Sequence, residues 1–483
     1  MNGEIKIHSV VYSSVVAVMC LTFLVIAWSV VNPIMIYAAI GMCTLMITLF
    51  PLLFLRNYDF FSPWTFVLLA VVTGCTFQAI CMSIGWPTEE QIDGWMLLGR
   101  EPEYFIVPGA IYLLGFACFT AGYFLIGRPS NKQRVISRNY DHKNLIFIIG
   151  ACFAVSMAAT GAFVKFTGGG TSDKLSQKRT LIRTTDVAND DEYKQYGYLK
   201  QLSKLTPICF LTVYAYIIYN YRRINFLHGC LLAFMFVCSC LMPYYSSMRA
   251  PICWLVFYAL GVSYYLERDK FKLRFAVLMT IGVLFFVTMS LGRNVSADSE
   301  GASFQESVRR VLFNRNGPGF AKTAHIINAI PDKLDYQYGQ TIAVWLIAPI
   351  PREVFPAKPM VHTGPIIGQQ VYGHNISGVP PGLIAELFWN FHIPGVIFGM
   401  TLIGWGLRSV YSWFQSLAIN PAITVPIYLF SVIPIGYSVI GHSLGYGTVM
   451  RFVDFATVAI VVIMCTSQTT QFSLAKQKAN APS

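Results

Sequence analysis

Residues 104–127 read YFIVPGAIYLLGFACFTAGYFLIG, an apolar run of 24 residues without a charged side chain. A helix rises 1.5 Å per residue, so this run is long enough to cross the roughly 30 Å hydrocarbon core of a bilayer. Similar runs recur along the 483 residues, of which 55% are hydrophobic and 12% are charged. Soluble globular chains carry about 25% charged residues. The sequence therefore predicts an all-α polytopic membrane protein and excludes a chain of soluble domains.

Apolar runs of this kind predict twelve transmembrane helices. They lie near residues 10–31, 34–55, 64–86, 104–127, 144–164, 205–220, 226–244, 250–266, 275–292, 386–407, 423–441 and 447–466. With the N-terminus inside, the inner segments hold 16 basic and five acidic residues, whereas the outer side holds 19 basic and 18 acidic residues. Because basic loops stay on the cytoplasmic side, we expect both termini to be cytoplasmic. The net charge of +12 is thus a topology signal, and no nucleic-acid partner is predicted.

The predicted helices divide the chain into three regions. These are residues 1–292, with nine helices and outer loops near 87–103 and 165–204; residues 293–385, a large outer loop between helices 9 and 10; and residues 386–483, with three helices and an inner tail. Loops as long as the one at 293–385 are usually functional. Within it, residues 340–350 are apolar but too short to span, which favours an interfacial or re-entrant helix. Glycine and proline residues set fixed turns after it, so we expect a lid over a membrane cavity.

An ordered set of residues in the large loop resembles a known family. Tyr338-Gly339-Gln340 precedes Pro351-Arg352, which is followed by Phe355-Pro356 and Lys358-Pro359. This order is similar to the outer loop of bacterial O-antigen polymerases, the Wzy family.

Two further stretches extend this resemblance. The stretch from Pro381 to Gly395, which contains Glu386 and Asn390, is similar to a helix start in that family, with His392 where glycine is usual. Arg249 takes the place of the arginine in the family's serine-arginine-glycine turn.

The resemblance implies a GT-C-like helical fold and an oligosaccharide repeat unit polymerase, a membrane glycosyltransferase of lipopolysaccharide biosynthesis. It also implies undecaprenyl-pyrophosphate-linked glycans as donor and acceptor, used at the periplasmic face of the bacterial inner membrane. No cofactor is implied. Membrane lipids and a chain-length regulator are the further partners that such a polymerase would meet.

The implied reaction needs cations for a leaving pyrophosphate. Arginine binds phosphate oxygens in a bidentate fashion, so Arg249 and Arg352 are the first candidates. Lys358, Arg293 and Arg315 are the next candidates. For Arg249, which lies in a short outer turn, the alternative is a side chain that extends to the membrane interface.

The reaction also needs a base that deprotonates the attacking hydroxyl. Glu386 and His374 fit best, because they lie near the predicted bilayer boundary, where partial desolvation favours a neutral carboxyl group. Glu353 is a weaker candidate because its neighbour Arg352 neutralises it. The alternative for Glu386 is an acid at a helix N-terminus, stabilised by the helix dipole.

A metal is not predicted, because the acidic pairs Glu101 with Glu103 and Asp298 with Glu300 supply too few oxygen ligands. Two other functions remain open at this point. An O-antigen ligase has the same general architecture but transfers the glycan to the lipid A core. A flippase or other transporter of lipid-linked oligosaccharides is the third possibility, although transporters tend to carry ionisable residues near the midplane.

Overall fold

The computed structural model describes most of the predicted helices and part of the large loop. The described residues are 9–29, 32–54, 58–83, 101, 103–126, 142–166, 199, 202–221, 224–245, 250–267, 270–272, 274–278, 280, 319–347, 355, 363–373, 379–416, 421–441 and 443–444.

All regular structure in these residues is helical, which confirms the all-α prediction for this part of the chain. The α-helices are α1 Ser9–Ser29, α2 Pro33–Leu49, α3 Pro63–Val71, α4 Phe77–Ser83, α5 Glu103–Ala121, α6 His142–Phe166, α7 Leu205–Tyr221, α8 Phe226–Tyr245, α9 Ala250–Leu266, α10 Phe320–Asn328, α11 Gln340–Ala343, α12 Gly364–Gln370, α13 Leu383–Ser416, α14 Pro421–Ser431 and α15 Ile433–Gly441. Short π-helical turns extend α3 into α4 and lengthen α5 to Ile126.

Six of the described helical segments are long and apolar enough to cross a membrane. They are Pro33–Leu52, Pro63–Met82, Glu103–Ile126, Asn144–Phe166, Phe226–Tyr245 and Leu383–Gln415. Four further apolar helices are shorter: Ser14–Phe23, Leu205–Tyr221, Pro251–Leu266 and Ala422–Tyr437. These helices mark the chain as a membrane protein. The number of twelve crossings stays a prediction, because 447–466 lies outside the described residues and 275–292 is described only at 275–278 and 280.

Large apolar side chains occur both inside the bundle and on its surface. Phe147, Phe226 and Phe398 are largely exposed, whereas Trp64 and Phe116 are fully buried. An apolar surface of this kind is expected where helices contact lipid rather than water.

Two glycines allow α5 and α13 to cross closely. A Cβ atom on Gly404 would lie 2.2 Å from the carbonyl oxygen of Phe119, and one on Gly122 would lie 2.2 Å from that of Thr401. Such distances leave no room for a side chain, so the two backbones are in direct contact. Small residues at helix crossings serve this purpose in membrane proteins.

The two ends of α13 carry different buried polar groups. Glu386 lies in the first turn, and Tyr411 lies near the other end. The hydroxyl groups of Tyr411 and Tyr265 each donate a hydrogen bond of 2.6 Å to Oδ2 of Asp59. Because α13 is broken at residues 391 and 392, it is not one straight helix, and its unbroken part from Ile393 to Tyr411 corresponds to roughly 27 Å at 1.5 Å per residue. Glu386 lies before the break and Tyr411 after it, so the two buried polar groups belong to different parts of the segment.

Part of the large predicted loop packs into the bundle. Helix α10 contacts both α5 and α13, and all its residues from Phe320 to Ile327 are buried. The sequence analysis did not predict this helix. Helix α13 begins at Leu383, three residues before the predicted start, and it continues beyond the predicted end at residue 407.

Candidate active site

Glu386 is the predicted site residue that the structure describes, and its side chain is fully buried. Oγ1 of Thr341, in α11, donates a hydrogen bond of 3.1 Å to Oε1 of Glu386. The backbone N–H of Leu444, which follows α15, donates to Oε2. A buried carboxyl group is costly unless its oxygens are hydrogen-bonded, so these two donors account for its position. Glu386 also lies in the first turn of α13, where the helix dipole favours a negative charge. This position is compatible with a role as base.

Asn390, one helical turn after Glu386, completes a buried hydrogen-bond network. Its Nδ2 donates to Oγ1 of Thr341 at 2.7 Å and to the carbonyl oxygen of Glu386 at 2.8 Å. Its Oδ1 accepts a hydrogen bond of 2.9 Å from the backbone N–H of Gly339. Two stretches that carry the family resemblance, at 338–340 and 381–395, therefore contact each other around Glu386.

A left-handed turn before α11 places Thr341 against Glu386. Tyr338 and Gly339 have φ angles of 46° and 89°. Glycine adopts such angles without a steric cost. A Cβ on Gly339 would also lie 3.0 Å from Cζ of Phe391, so both the backbone angle and the space require glycine there.

Helix α13 is broken shortly after Asn390. Phe391 has φ −138° and ψ 17°, and His392 has φ 56° and ψ −152°. In the turn before the break, the carbonyl oxygen of Trp389 accepts a hydrogen bond of 3.1 Å from the backbone N–H of Gln337. A non-glycine residue with such angles costs about 1–3 kcal/mol. This conformation gives a physical reason for the glycine that is usual at this place in the resembling family.

A buried lysine lies near the same segment that binds Glu386. Lys322, in α10, is 5% exposed, and its Nζ donates a hydrogen bond of 2.9 Å to the carbonyl oxygen of Gly441. Burial lowers the pKa of Lys322 to about 7. Gly441 and Leu444 are three residues apart in the sequence; Gly441 contacts the buried amine and Leu444 the buried carboxyl group.

His325 lies one turn after Lys322 on α10 and is also buried. Its Nδ1 is 3.0 Å from the hydroxyl oxygen of Tyr104. Nδ2 of Asn328 donates a hydrogen bond of 2.7 Å to the carbonyl oxygen of Tyr104. These contacts hold α10 against the start of α5.

The remaining predicted site residues lie outside the described residues. They are His374, Arg249, Arg352, Lys358, Arg293 and Arg315. Their roles as a base and as pyrophosphate ligands stay predictions. Within the described ranges, no group of three or more His, Cys, Asp or Glu side chains is arranged to hold a metal ion.

Thr341, Leu444 and Lys322 were not predicted as site residues from the sequence, and Asn390 was named there only as part of the resembling stretch, without a role. Such a role was predictable, because a residue four positions after Glu386 lies on the same helix face. The lysine stands in a short segment without the long apolar run that marks a transmembrane helix, so no hydropathy signal predicted its burial.

No protein-family model, curated protein or solved structure matches the chain significantly. The likeness to O-antigen polymerases therefore rests on the quoted residues alone.

Proposed function

We propose that the protein is a glycosyltransferase that polymerises lipid-pyrophosphate-linked oligosaccharide repeats, with the site around Glu386 facing the periplasm. The donor and the acceptor are each a repeat unit on undecaprenyl pyrophosphate. The product is O-antigen or a similar surface polysaccharide.

In the proposed reaction, a hydroxyl oxygen of the acceptor sugar attacks the anomeric carbon of the donor glycan. The hydroxyl proton passes to Glu386 as general base, and the bond between the anomeric carbon and the phosphate oxygen breaks. Its electrons leave with the lipid pyrophosphate, whose negative charge Arg249 and Arg352 neutralise. The activated donor supplies the driving force, so the reaction requires no nucleotide.

The observation that carries this proposal is the contact between two sequence stretches that resemble the same family. Gly339 comes from one stretch and Asn390 from the other, 51 residues apart along the chain, and Thr341, directly after the first stretch, bonds to Glu386 in the second. Their hydrogen bonds converge on one buried carboxyl group. A fully apolar contact would pack two helical segments equally well, so the presence of a buried acid here favours a chemical role.

Glu386 has no exposed surface, and this imposes a condition on the mechanism. An acceptor hydroxyl must come within about 3 Å of the carboxylate for proton transfer. Thr341 covers Oε1 from one side, and α11, which carries it, has only four residues. We therefore infer that the acceptor hydroxyl reaches the other carboxylate oxygen, Oε2, and that the contact of Leu444 with this oxygen opens when the acceptor binds, while Thr341 keeps its bond to Oε1.

A deletion strain separates this proposal from an O-antigen ligase. The strain that normally makes the glycan would be compared with and without the gene, and its lipopolysaccharide resolved by gel electrophoresis. Loss of a polymerase leaves lipopolysaccharide that carries a single repeat. Lipopolysaccharide without any attached repeat would contradict the proposal and favour the ligase.

One observation favours a transporter instead. Broken helices and buried ionisable groups are typical of transport proteins, and α13 is broken at residues 391 and 392 while Lys322 is buried. The break lies nine residues from the start of a 34-residue helix, however, and not at its middle. A transporter moves lipid-linked repeats without lengthening them, so an increase in glycan length with the purified protein excludes transport as the sole function.

A further inference from the structure

Two strained residues lie next to each other beside the Glu386 network. Among the described residues, Tyr338 and His392 are the two non-glycine residues with positive φ, at 46° and 56°. Bulky side chains rarely adopt such angles, and they persist mainly where the surroundings or the function require them. A glycine at either position would remove the strain.

Backbone and ring contacts bring these two residues together. The backbone N–H of Gln337 donates to the carbonyl oxygen of Trp389, so the residue before Tyr338 is bound to the turn before His392. The ring of Tyr336 is near both, with its centroid 6.3 Å from that of Tyr338 and 5.8 Å from that of His392. The rings are tilted, with interplanar angles of 49° and 58° to Tyr336, and they offer separate faces within one aromatic cluster. This cluster of Tyr336, Tyr338 and His392 is called the aromatic platform.

Packing explains these side chains only in part, because the ring of His392 lies 4.7 Å from that of Phe388 but His392 stays exposed. Tyr338 is 78% exposed, His392 is exposed, and Tyr336 is half-buried. A strained residue that filled the core would be retained for its buried contacts, but Tyr338 makes few. The rings are therefore presented to the surroundings at the cost of backbone strain.

We propose that this aromatic platform binds a sugar ring of the acceptor glycan by stacking. A pyranose has a flat face of C–H groups and a rim of hydroxyl groups. Aromatic side chains with a phenol or imidazole edge match both, because each offers an apolar face and a polar tip. This assignment rests on the proposed function, which supplies a glycan as the substrate.

The position of the platform agrees with an acceptor subsite. Gly339, next to Tyr338, donates its backbone N–H to the side chain of Asn390, and Asn390 lies one helical turn from Glu386. A sugar held on the platform is thus adjacent to the segment that covers the proposed base. Tyrosine also occurs in the aromatic belts at membrane interfaces, but a belt residue needs no left-handed backbone.

Glycine substitutions test the platform because they remove a ring and relieve strain together. We expect Tyr338→Gly and His392→Gly to raise the midpoint of thermal unfolding in detergent, or to leave it unchanged. The double variant is expected to raise the KM for the lipid-linked acceptor by about tenfold with little change in kcat. Phe398→Ala, which removes a largely exposed ring elsewhere on α13, is the control and is expected to leave KM unchanged.

A binding measurement keeps this inference separate from the proposed reaction. The probe is the free oligosaccharide repeat, released from its lipid by mild acid and observed by saturation-transfer difference NMR with the purified full-length protein. We expect transfer to the sugar ring protons with the wild type and its loss in the double glycine variant. If the wild type lengthens no repeats but saturation transfer is lost in the double glycine variant, the polymerase proposal is wrong and the sugar-binding platform is supported. Equal saturation transfer to the sugar in both proteins, or an unchanged KM in an active double variant, would overturn the platform. The rings would then be residues of an aromatic belt at the membrane interface.

Discussion

Replacement of Thr341 by valine removes one hydroxyl group from the centre of the Glu386 network with almost no change in shape. The hydroxyl donates to Oε1 of Glu386 at 3.1 Å and accepts from Nδ2 of Asn390 at 2.7 Å, and the side chain is 6% exposed. A hydrogen bond to a charged group contributes about 1.5–3 kcal/mol. Asn390 keeps its second acceptor, the carbonyl oxygen of Glu386, so we assign most of the loss to the carboxylate. If this bond orients the base in the transition state, Thr341→Val lowers the polymerisation rate by about 10- to 150-fold.

The assay is the rate at which purified protein in detergent lengthens lipid-linked repeats, followed on a gel at saturating substrate. Thr341→Ser retains the hydroxyl and is expected to restore most of the rate. Thr212→Val is the control for the loss of a threonine hydroxyl, because its Oγ1 bonds to the carbonyl oxygen of Ile208 within its own helix. A Thr341→Val protein that is folded and works within twofold of the wild type would refute the role given to this network.

Two further predictions concern the bundle. Gly404→Ala places a Cβ 2.2 Å from the carbonyl oxygen of Phe119, so α5 and α13 must separate, which costs about 1–3 kcal/mol. The matched control is Gly406→Ala, on the same helix, where nothing lies within 4 Å of the new Cβ. It is expected to stabilise the folded protein by up to about 1 kcal/mol. Equal thermal midpoints for the two variants would contradict the close crossing. Burial lowers the pKa of Lys322 from 10.5 to about 7. Between these pH values the unfolded chain therefore binds more protons than the folded one, and the free energy of unfolding rises with pH. Lys322→Met removes that rise, as measured by thermal unfolding from pH 7 to 10.5; the same pH dependence in both proteins would show that this amine is not buried as described.

Hydropathy predicted most of the described helices because membrane spans depend on local composition. The run at 104–127 corresponds to a helical segment from Glu103 to Ile126, and the run at 205–220 to Leu205–Tyr221. Hydropathy gave no signal for the break in α13, but Pro394 did, because a proline inside a helix removes a backbone hydrogen bond and clashes with the carbonyl group four residues earlier. The form of the turn also depends on contacts of Gln337 with Trp389 and of Tyr336 with His392, which join residues more than 50 positions apart and were not predictable.

The candidate site was predictable only in part, for a similar reason. Glu386 was found because an acid at the start of an apolar helix stands out in the sequence. Its partners Thr341 and Leu444 are 45 and 58 residues away, and no periodicity relates them to it. Helix α10 has only nine residues, too few for a hydropathy window, so its packing against α5 had to come from the structure.

The most direct test of the central claim is the reaction itself. Purified wild-type protein in liposomes would receive undecaprenyl-pyrophosphate-linked repeats without nucleotide, and the products would be resolved by mass spectrometry. We predict glycans of two or more repeats with one undecaprenyl pyrophosphate released per bond formed, and a rate about 10²- to 10⁴-fold lower for Glu386→Gln, as expected for loss of a general base. Unchanged repeats with the wild type, or wild-type lengthening by Glu386→Gln, would contradict the account.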